Sequence, residues 1–438
     1  MRSRRFTEVG LLVMVAIIIV GAYVLASLGR SASIPANIGP FLGVVLGLFA
    51  VAHIAVRRLA PNADPLFVPI AVLLNGIGYV MIARLNPDLA GQQAAWTAVG
   101  ITGFVITLAV VRRVRSLERL RYTVGLLGVV LLVLPLVPKV GTAPINGSKI
   151  WVRIGPVGFQ PGEFAKIALA VFFAAYLVER RELLSTATFR IGRFTTPDPR
   201  HLAPVIVAWG FSLMVMMFQR DLGSALLFFA LFMTVLWVST GRASYLIVGT
   251  TLFGGGAYLA WSMFTHVQTR VAMWLDPWQD RSGKGFQVVQ SSYAFAWGGI
   301  GGTGLGLGVA GRIPYEETDF IYAVIGEELG LFGSTAVLIA FLVLVGCGLR
   351  AAVTVSDPFA KLLACGLTTL LGFQSFVIMA GVTRLLPLTG VTLPFVSYGG
   401  SSLVSNWIVL ALLVRLSDEV SRRRPVLDDA TTVITVPA

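Results

Sequence analysis

Charged residues are scarce in this sequence: 34 Lys and Arg and 21 Asp and Glu make up only 13% of its 438 residues. In a typical soluble domain their share is about 25%. Hydrophobic residues make up 56% of the chain, and a soluble protein of this size would expose much of that apolar surface to water. The composition therefore excludes a soluble enzyme and predicts a protein embedded in a membrane.

Cysteine and histidine are also rare. Cys347 and Cys365 lie within apolar runs, which argues against a disulfide framework or a thiolate metal site. His53, His201 and His266 stand far apart, without the spacing of metal ligands. The net charge of +13 does not indicate a nucleic-acid partner, because in a membrane protein an excess of Lys and Arg mostly records orientation.

Apolar runs long enough, or nearly long enough, to cross about 30 Å of hydrocarbon recur along the chain. They predict an all-α polytopic integral membrane protein with about twelve transmembrane helices, since they lack the alternation of membrane β-strands. The predicted spans are Val9–Leu28, Ile38–Val56, Pro65–Ile82, Ala94–Val111, Thr123–Val137, Phe164–Val178, Leu202–Phe218, Leu222–Val238, Tyr245–Phe264, Ile321–Leu344, Leu362–Ala380 and Leu403–Leu416.

The distribution of Lys and Arg predicts the orientation of these helices in the cytoplasmic membrane. With the N-terminus inside, most of the 34 Lys and Arg residues fall on the inner side, so we expect both termini in the cytoplasm. Two long extracytoplasmic loops result, at about 139–163 and 265–319, and residues 418–438 form a polar cytoplasmic tail that we expect to be disordered.

Cations concentrated on the outer side oppose this trend and point to an anionic ligand. Most of the outer cations lie in or beside the two long loops. These cations are Lys139, Lys149, Arg153, Lys166, Arg270, Arg281, Lys284 and Arg312.

Asp319 is the first candidate for chemistry, because it stands where the second loop runs into a predicted membrane helix. Ionisable groups at membrane depth usually line a cavity and serve a function there. In the alternative interpretation Thr318 or Asp319 caps the helix, whose N-terminus favours negative groups. Glu327 and Glu328 follow deeper in the helix, where we expect them to pair with polar groups of neighbouring segments.

The first outer loop reads NGSKIWVRIGPVGFQPGEFAK and surrounds an aromatic residue with cations. Lys149 and Arg153 flank Trp151, whereas Glu163 and Lys166 share a face at the start of the next helix. An aromatic ring that packs on a sugar, beside cations that neutralise phosphates, suits a sugar diphosphate. Alternatively, Trp151 is an anchor at the membrane interface and the cations bind phospholipid.

Five segments carry motifs in a fixed order. They are NGSKIWVRIGPVGFQPGEFAK (146–166), QRDLGSA (219–225), WLDPWQDRSGKGFQVVQSSYAFAWGGIGGTGLG (274–306), ETDFIYAVIGEELGLFG (317–333) and LPLTGVTLPFVSYGGSS (386–402). Together they resemble the SEDS family of membrane glycosyltransferases, which includes RodA, FtsW and SpoVE and polymerises peptidoglycan. The chain departs from the family pattern at Ile150, where Arg is usual, at Arg220, where Pro is usual, and at Glu316, an acidic residue in a shifted position.

The resemblance implies that lipid II is polymerised into glycan strands on the outer face of the membrane. The donor is a glycan on undecaprenyl diphosphate, which leaves as the configuration at the sugar inverts. In the family the Asp of the TDF motif is the essential residue of the outer cavity; here it is Asp319, which we interpret as the catalytic base. The expected substrate-binding residues are Trp151, Arg153, Glu163, Lys166, Lys149, Arg270 and Lys284.

The resemblance also implies an organisation and partners. Residues 63–417 correspond to the family's membrane core, and residues 1–62 would add two transmembrane helices before it. A class B penicillin-binding protein, which is a transpeptidase, is the expected protein partner. No motif indicates a cofactor or metal ligand, and a divalent cation at the diphosphate stays an open alternative. The motifs fit a member that acts in cell elongation, like RodA, and one that acts in division, like FtsW.

Two other kinds of protein are compatible with a polytopic chain. A flippase or transporter of lipid-linked precursors should carry its ionisable groups near the bilayer midplane, in paired halves, whereas the charged cluster here is predicted on one outer face. A scaffold that only recruits a transpeptidase would not need Asp319. The motifs favour the enzyme over both.

Overall fold

The structure, a computed structural model, describes residues 2–32, 38–144, 148–155, 157–185, 189–191, 194–196, 210, 214, 217–309 and 311–431. Helices account for most of the described chain. They are α1 (Arg2–Ser31), α2 (Ile38–Leu59), α3 (Phe67–Leu85), α4 (Pro87–Val110), α5 (Ser116–Arg119), α6 (Arg121–Val133), α7 (Pro161–Glu179), α8 (Arg181–Ser185), α9 (Leu222–Thr240), α10 (Ala243–Met263), α11 (Thr265–Leu275), α12 (Phe286–Gly298), α13 (Ile321–Thr354), α14 (Pro358–Val382) and α15 (Gly400–Thr431).

Two short antiparallel hairpins complete the described secondary structure. The hairpin of β1 (Val152–Ile154) and β2 (Val157–Phe159) lies in the first predicted outer loop. The second hairpin joins β3 (Phe189–Ile191) to β4 (Phe194–Thr196).

Ten helices in the described part of the chain are long and apolar enough to cross a membrane, and Arg121–Leu136 is a shorter apolar stretch. The predicted all-α polytopic fold is confirmed. The predicted span Leu202–Phe218 lies almost entirely outside the described residues, so the total of twelve transmembrane helices stays a prediction.

Helix α15 forms the centre of the bundle and packs against α4, α7, α13 and α14. Its Trp407 is fully buried and meets the rings of Phe104 and Phe395 edge-on, at centroid distances of 5.6 and 5.7 Å. The Trp407 Nε1–H donates to Asn75 Oδ1 at 3.3 Å. A Cβ on Gly100 would stand 2.6 Å from the indole, so a small residue is what lets α4 approach α15 this closely.

The inner end of α15 differs from the sequence prediction, which ended the last helix at Leu416 and began a disordered tail at Asp418. The helix continues to Thr431. Within it Asp418 is buried and accepts a hydrogen bond from the Asn62 N–H at 2.8 Å. Arg415, one turn earlier, donates to the Leu59 carbonyl at 2.7 Å and contacts Asp418. The predicted end of the helix is therefore wrong, and residues 432–438 lie outside the described part.

The second predicted outer loop, 265–319, is largely helical. It contains α11, a 3₁₀ turn at Pro277–Asp280 and α12. Helix α12 packs against α13 and buries Val288, Val289 and Ala294. This segment is folded because it has an apolar face of its own, which is too short for a membrane span. Its position as an extracytoplasmic loop stays a prediction.

Helix α13 is broken at Gly330, whose φ and ψ of 65° and −162° are not helical. The glycine-rich segment after α12 fills the break. Leu331 N–H donates to the Gly299 carbonyl at 2.9 Å, and Thr303 N–H donates to the Glu327 carbonyl at 2.9 Å. Backbone groups in a membrane protein must be paired within the chain, so these bonds make the break tolerable.

A substitution at Gly302 can test the packing of the glycine-rich segment against α13. Its φ is +83°, and a Cβ would stand 2.2 Å from the Glu328 carbonyl oxygen. Gly302→Ala should therefore lower the free energy of unfolding by about 2 kcal/mol, measured by thermal unfolding in detergent. The neighbouring Gly301→Ala is the matched control, because a Cβ there meets nothing within 4 Å. Equal unfolding temperatures for the two variants would contradict this account.

Candidate functional site

A cavity of about 1100 Å³ opens at the end of the bundle where α7, α9, α13 and α15 begin. The first hairpin, α11, the start of α12 and the segment 384–402 contribute to its wall. Both predicted outer segments therefore meet at one site. The polar and aromatic residues in its lining include Gln92, Trp96, Trp151, Asp221, Arg270, Trp274, Lys284, Asp319, Arg384 and Tyr398.

Asp319 lies in the cavity wall, two residues before the start of α13. The capping alternative is wrong, because the N-cap position is Phe320 and no side chain caps the helix. The backbone around Asp319 is held from the other side of the cavity: Tyr398 N–H donates to the Glu317 carbonyl at 2.8 Å, and the Ser397 hydroxyl donates to the Thr318 carbonyl. Asp319 is thus a positioned side chain facing a cavity.

Arg270 lies beside Asp319. It is held by the carbonyls of Leu388 and Thr389, which accept from its Nη1 at 3.3 and 2.8 Å. A Cβ on Gly390 would be 3.6 Å from Arg270 Nη2 and 3.8 Å from Asp319 Oδ2. Gly390, with a φ of +73°, therefore takes the backbone close to both groups.

The surroundings of Asp319 change its acidity. Burial raises the pKa of its carboxyl to about 6, while the Arg270 guanidinium and the Thr318 side chain oppose the rise and Glu317 adds to it. A carboxyl group with a pKa near the working pH is ionised often enough to accept a proton and basic enough to hold it. The site therefore contains a group suited to general-base chemistry.

The predicted substrate contacts of the first outer segment divide into two groups. Trp151 lines the cavity, next to Gly158 on the other strand of its hairpin. Lys149 and Arg153 are exposed and do not contribute to the described lining. In the second outer segment both Arg270 and Lys284 line the cavity, so the structure brings these two cations together with Trp151 and Asp319.

Glu163 and Lys166 form a buried ion pair, in which Lys166 Nζ and Glu163 Oε2 are 2.8 Å apart. The Lys166 side chain is 5% exposed and the Glu163 side chain 3%. Lys166 also donates to Gln374 Oε1 at 2.9 Å, and Ser405 Oγ donates to Glu163 Oε2 at 2.9 Å. Glu163 reaches the cavity lining, whereas Lys166 does not. The pair thus joins α7 to α14 and α15 underneath the cavity.

Gln374 extends this network to the wall, because its Nε2 donates to the Thr392 carbonyl at 2.8 Å. Thr392 itself lines the cavity. A buried charge pair is therefore connected through one amide to the segment that surrounds Asp319.

Sequence reasoning missed several lining residues, of which Arg384 and Trp274 are the most distinctive. Trp274 Nε1 donates to the Arg384 carbonyl at 3.0 Å, and Arg384 Nη2 donates to the Trp274 carbonyl at 3.3 Å. Arg384 Nε is buried without a hydrogen-bond partner in the described part of the chain. The available signal was an outer Arg two residues before the LPLTGVTLPFVSYGG motif.

Glu327 and Glu328 hold the glycine-rich segment, as predicted. Glu328 pairs with Arg84 at 2.6 Å and accepts from the Gly306 N–H at 2.9 Å. Glu327 accepts from the Val309 N–H at 2.9 Å. Across the described residues there is no group of three or more His, Cys, Asp or Glu side chains arranged to hold a metal ion.

These features define a class of protein: a polytopic membrane protein with a polar, aromatic-lined cavity at one end of its bundle. The family model of FtsW, RodA and SpoVE, described as cell cycle proteins, matches residues 67–422. The chain belongs to this family.

Named relatives support the assignment. The chain is 43% identical to the proteins called peptidoglycan glycosyltransferase RodA in Mycobacterium bovis and Mycobacterium tuberculosis, covering 97% of this chain and 92% of each relative. It is 33% identical to a probable peptidoglycan glycosyltransferase FtsW of a Geobacter species, over 82% of this chain and 98% of the relative.

Solved structures share the fold. A chain from a peptidoglycan synthase complex, described as coordinating polymerization and crosslinking, aligns with a TM-score of 0.67 and 26% identity over 82% of this chain and 98% of that one. The rod shape determining protein RodA of Thermus thermophilus aligns with a TM-score of 0.58 and 25% identity over 81% and 96%.

The buried ion pair generates a prediction. Lys166→Ala leaves the Glu163 carboxylate buried without its cation, which should cost about 3–5 kcal/mol of folding free energy and lower both the yield and the unfolding temperature of the purified protein. The double variant Glu163→Gln with Lys166→Met removes both charges and should recover much of that loss. A Lys166→Ala protein as stable as the parent would show that Lys166 has no structural part.

Proposed function

We propose that this chain is a peptidoglycan glycosyltransferase that polymerises lipid II at the outer face of the cytoplasmic membrane. The observation that carries the proposal is the half-buried Asp319 beside Arg270, in a cavity that Trp151 also lines. Relatives with 43% identity over 97% of this chain are named peptidoglycan glycosyltransferases, which supports the same chemistry here.

The reaction joins two lipid-linked sugars. The 4-hydroxyl of the N-acetylglucosamine on lipid II attacks the anomeric carbon of the donor glycan, and a new C–O bond forms as the bond to the diphosphate oxygen breaks. The proton of the attacking hydroxyl passes to the Asp319 carboxylate, which acts as general base. Undecaprenyl diphosphate leaves with the bonding electron pair, and the configuration at the anomeric carbon inverts.

The departing diphosphate carries negative charge that cations of the cavity can stabilise. Arg270, Lys284 and Arg384 are the cations in the lining. Arg384 has its Nε buried and without a partner among the described residues, which leaves a donor available to an anion. Lys149 and Arg153 are outside the lining, and their contact with substrate stays a prediction.

Aromatic side chains in the same cavity suit the sugar parts of the substrate. Trp151 and Trp96 line one region, and Trp274 lies beside Arg384. An indole face packs against the C–H face of a pyranose, while nearby polar groups bond to its hydroxyls. This combination of aromatic rings and cations supports a sugar diphosphate better than a simple lipid phosphate.

The organisation that we propose has residues 63–417 as the catalytic membrane core, preceded by two additional transmembrane helices within residues 1–62. The family model begins at residue 67, which supports this division. Both termini are cytoplasmic, so the cavity faces outward. The solved relative in a synthase complex that coordinates polymerization and crosslinking supports a class B penicillin-binding protein as partner.

A transport function for lipid-linked precursors is the second candidate. It would require charged groups along a path through the bilayer, whereas the cations of this cavity lie at the end of the bundle where several helices begin. The enzyme is therefore favoured. Identity of 43% to RodA proteins against 33% to an FtsW protein supports a role in cell elongation.

Asp319→Asn tests the proposed base. Asparagine keeps the shape and one oxygen but cannot take a proton, so polymerisation of purified lipid II should fall by about 10²–10⁴-fold, as measured by glycan product on gels. Glu317→Gln makes the same change two residues away and should retain most activity. Full activity of Asp319→Asn would exclude this residue as the base.

The pH dependence gives a second, independent test. Because Asp319 acts in its ionised form and burial raises its pKa to about 6, the rate of polymerisation should be constant above pH 7 and fall as the pH drops below about 6. The Arg270 cation lowers the pKa of Asp319. Arg270→Gln removes it, so the pKa should rise and the fall in rate should begin at a higher pH. A parent profile that is flat down to pH 4.5 would contradict the assignment.

A further inference from the structure

A second cavity lies between the outer ends of α1, α3 and α4. Its volume is about 360 Å³, and its lining includes Tyr23, Ser27, Arg30, Arg84 and Ala90. The two linings share none of their residues, so this cavity is distinct from the one that contains Asp319. Helix α1 precedes the part of the chain that matches the family model, so this cavity is not a feature of the common core.

The charges around this cavity leave one cation without a counter-ion. Arg84 is 8% exposed and pairs with Glu328 at 2.6 Å. Arg30, in the last turn of α1, is exposed and has no ion pair or hydrogen bond within the described parts of the chain. Arg84 and Glu328 compensate each other, so the uncompensated charge at this cavity is that of the exposed Arg30 guanidinium.

A buried donor is also available. Arg84 Nη2 bonds to the Gly308 carbonyl at 2.6 Å, but Arg84 Nε is buried and has no hydrogen-bond partner in the described residues. A buried N–H without a partner costs free energy, and an anionic oxygen in the cavity would satisfy it. Ser27 adds a hydroxyl to the lining.

The N-terminus of helix α4 is also near this cavity. Helix α4 begins at Pro87, and Pro87 and Ala90 of its first turn line the cavity. The first turn of α4 therefore borders the cavity and contributes positive potential there, although the Asn86 side chain accepts a hydrogen bond from the Asp88 N–H of that turn. Asp88 lies in the same turn but is exposed and outside the lining, so its carboxylate does not close the cavity to an anion.

Helix α1 is a candidate membrane span, and only 17% of its most apolar stretch is buried. Leu25 and Leu28 are 57% and 41% exposed, and by helical spacing they lie on the side of α1 away from Ser27 and Arg30. The cavity therefore lies at the end of an apolar helix that faces lipid, at the level where charged headgroups meet the protein.

We propose that this cavity binds the phosphate-bearing headgroup of a membrane lipid. The phosphate lies between Arg30 and Arg84, and the chains extend into the bilayer beside α1. Two sources share this chemistry: an anionic phospholipid, and a polyprenyl diphosphate of the kind that the proposed reaction consumes and releases. Binding here does not depend on Asp319 or on catalysis.

The test is lipid binding to the delipidated, purified full chain by native mass spectrometry. Phosphatidylglycerol, undecaprenyl diphosphate and net-neutral phosphatidylcholine are titrated separately. The parent should bind one of the two anionic lipids more tightly than phosphatidylcholine. Arg30→Gln should weaken that binding by about tenfold or more, because it removes a contact between charged groups.

Two further variants separate the site from other effects. Ser27→Leu fills the cavity without changing the charge and should weaken the same lipid, whereas Arg281→Gln removes an exposed cation outside both linings and should leave binding unchanged. If Arg30→Gln and Ser27→Leu weaken the binding of phosphatidylglycerol alone, the ligand is a phospholipid. If they weaken the binding of undecaprenyl diphosphate alone, the ligand is a lipid diphosphate. Binding of both lipids that is unaffected by Arg30→Gln and Ser27→Leu would overturn the proposal.

Discussion

The architecture depends on pairing every backbone group within the bundle, since lipid offers no hydrogen bonds. The break in α13 at Gly330 would violate that requirement if the segment after α12 did not fill it. The Gly299 carbonyl and the Thr303 N–H take up groups that the broken helix releases. The same segment precedes Asp319 in the sequence.

Charged side chains occur in two different settings in this protein. Glu163–Lys166, Arg84–Glu328 and Arg415–Asp418 are buried pairs with additional hydrogen bonds, and their desolvation is offset within the chain. Asp319 and Arg270 instead face a cavity and are only half buried. The buried pairs join segments of the chain to one another, although Arg84 Nε has no partner among the described residues. Asp319 and Arg270 border a space that a ligand can enter.

The sequence predicts the membrane spans well because continuous apolar length is a direct physical requirement for crossing lipid. It also identifies Asp319, an isolated acid where a polar segment enters a helix. The burial of Lys166 could not be predicted, because its partner Gln374 lies more than 200 residues away in the sequence and only folding brings the two together. Arg384 was missed because it lies outside the two long outer segments, and only folding brings it to Trp274.

Helix α1, which precedes the residues that match the family model, packs against the glycine-rich segment. A Cβ on Gly29 would stand 2.2 Å from the Leu305 carbonyl oxygen, and one on Gly306 would stand 2.3 Å from the Ala26 carbonyl oxygen, so the two backbones touch. On its other side Gly306 donates to Glu328, which also holds Arg84. One short stretch of backbone therefore packs against α1 and pairs with α13. Gly302 and Gly306 are required in it because a Cβ at either position would meet a backbone carbonyl oxygen.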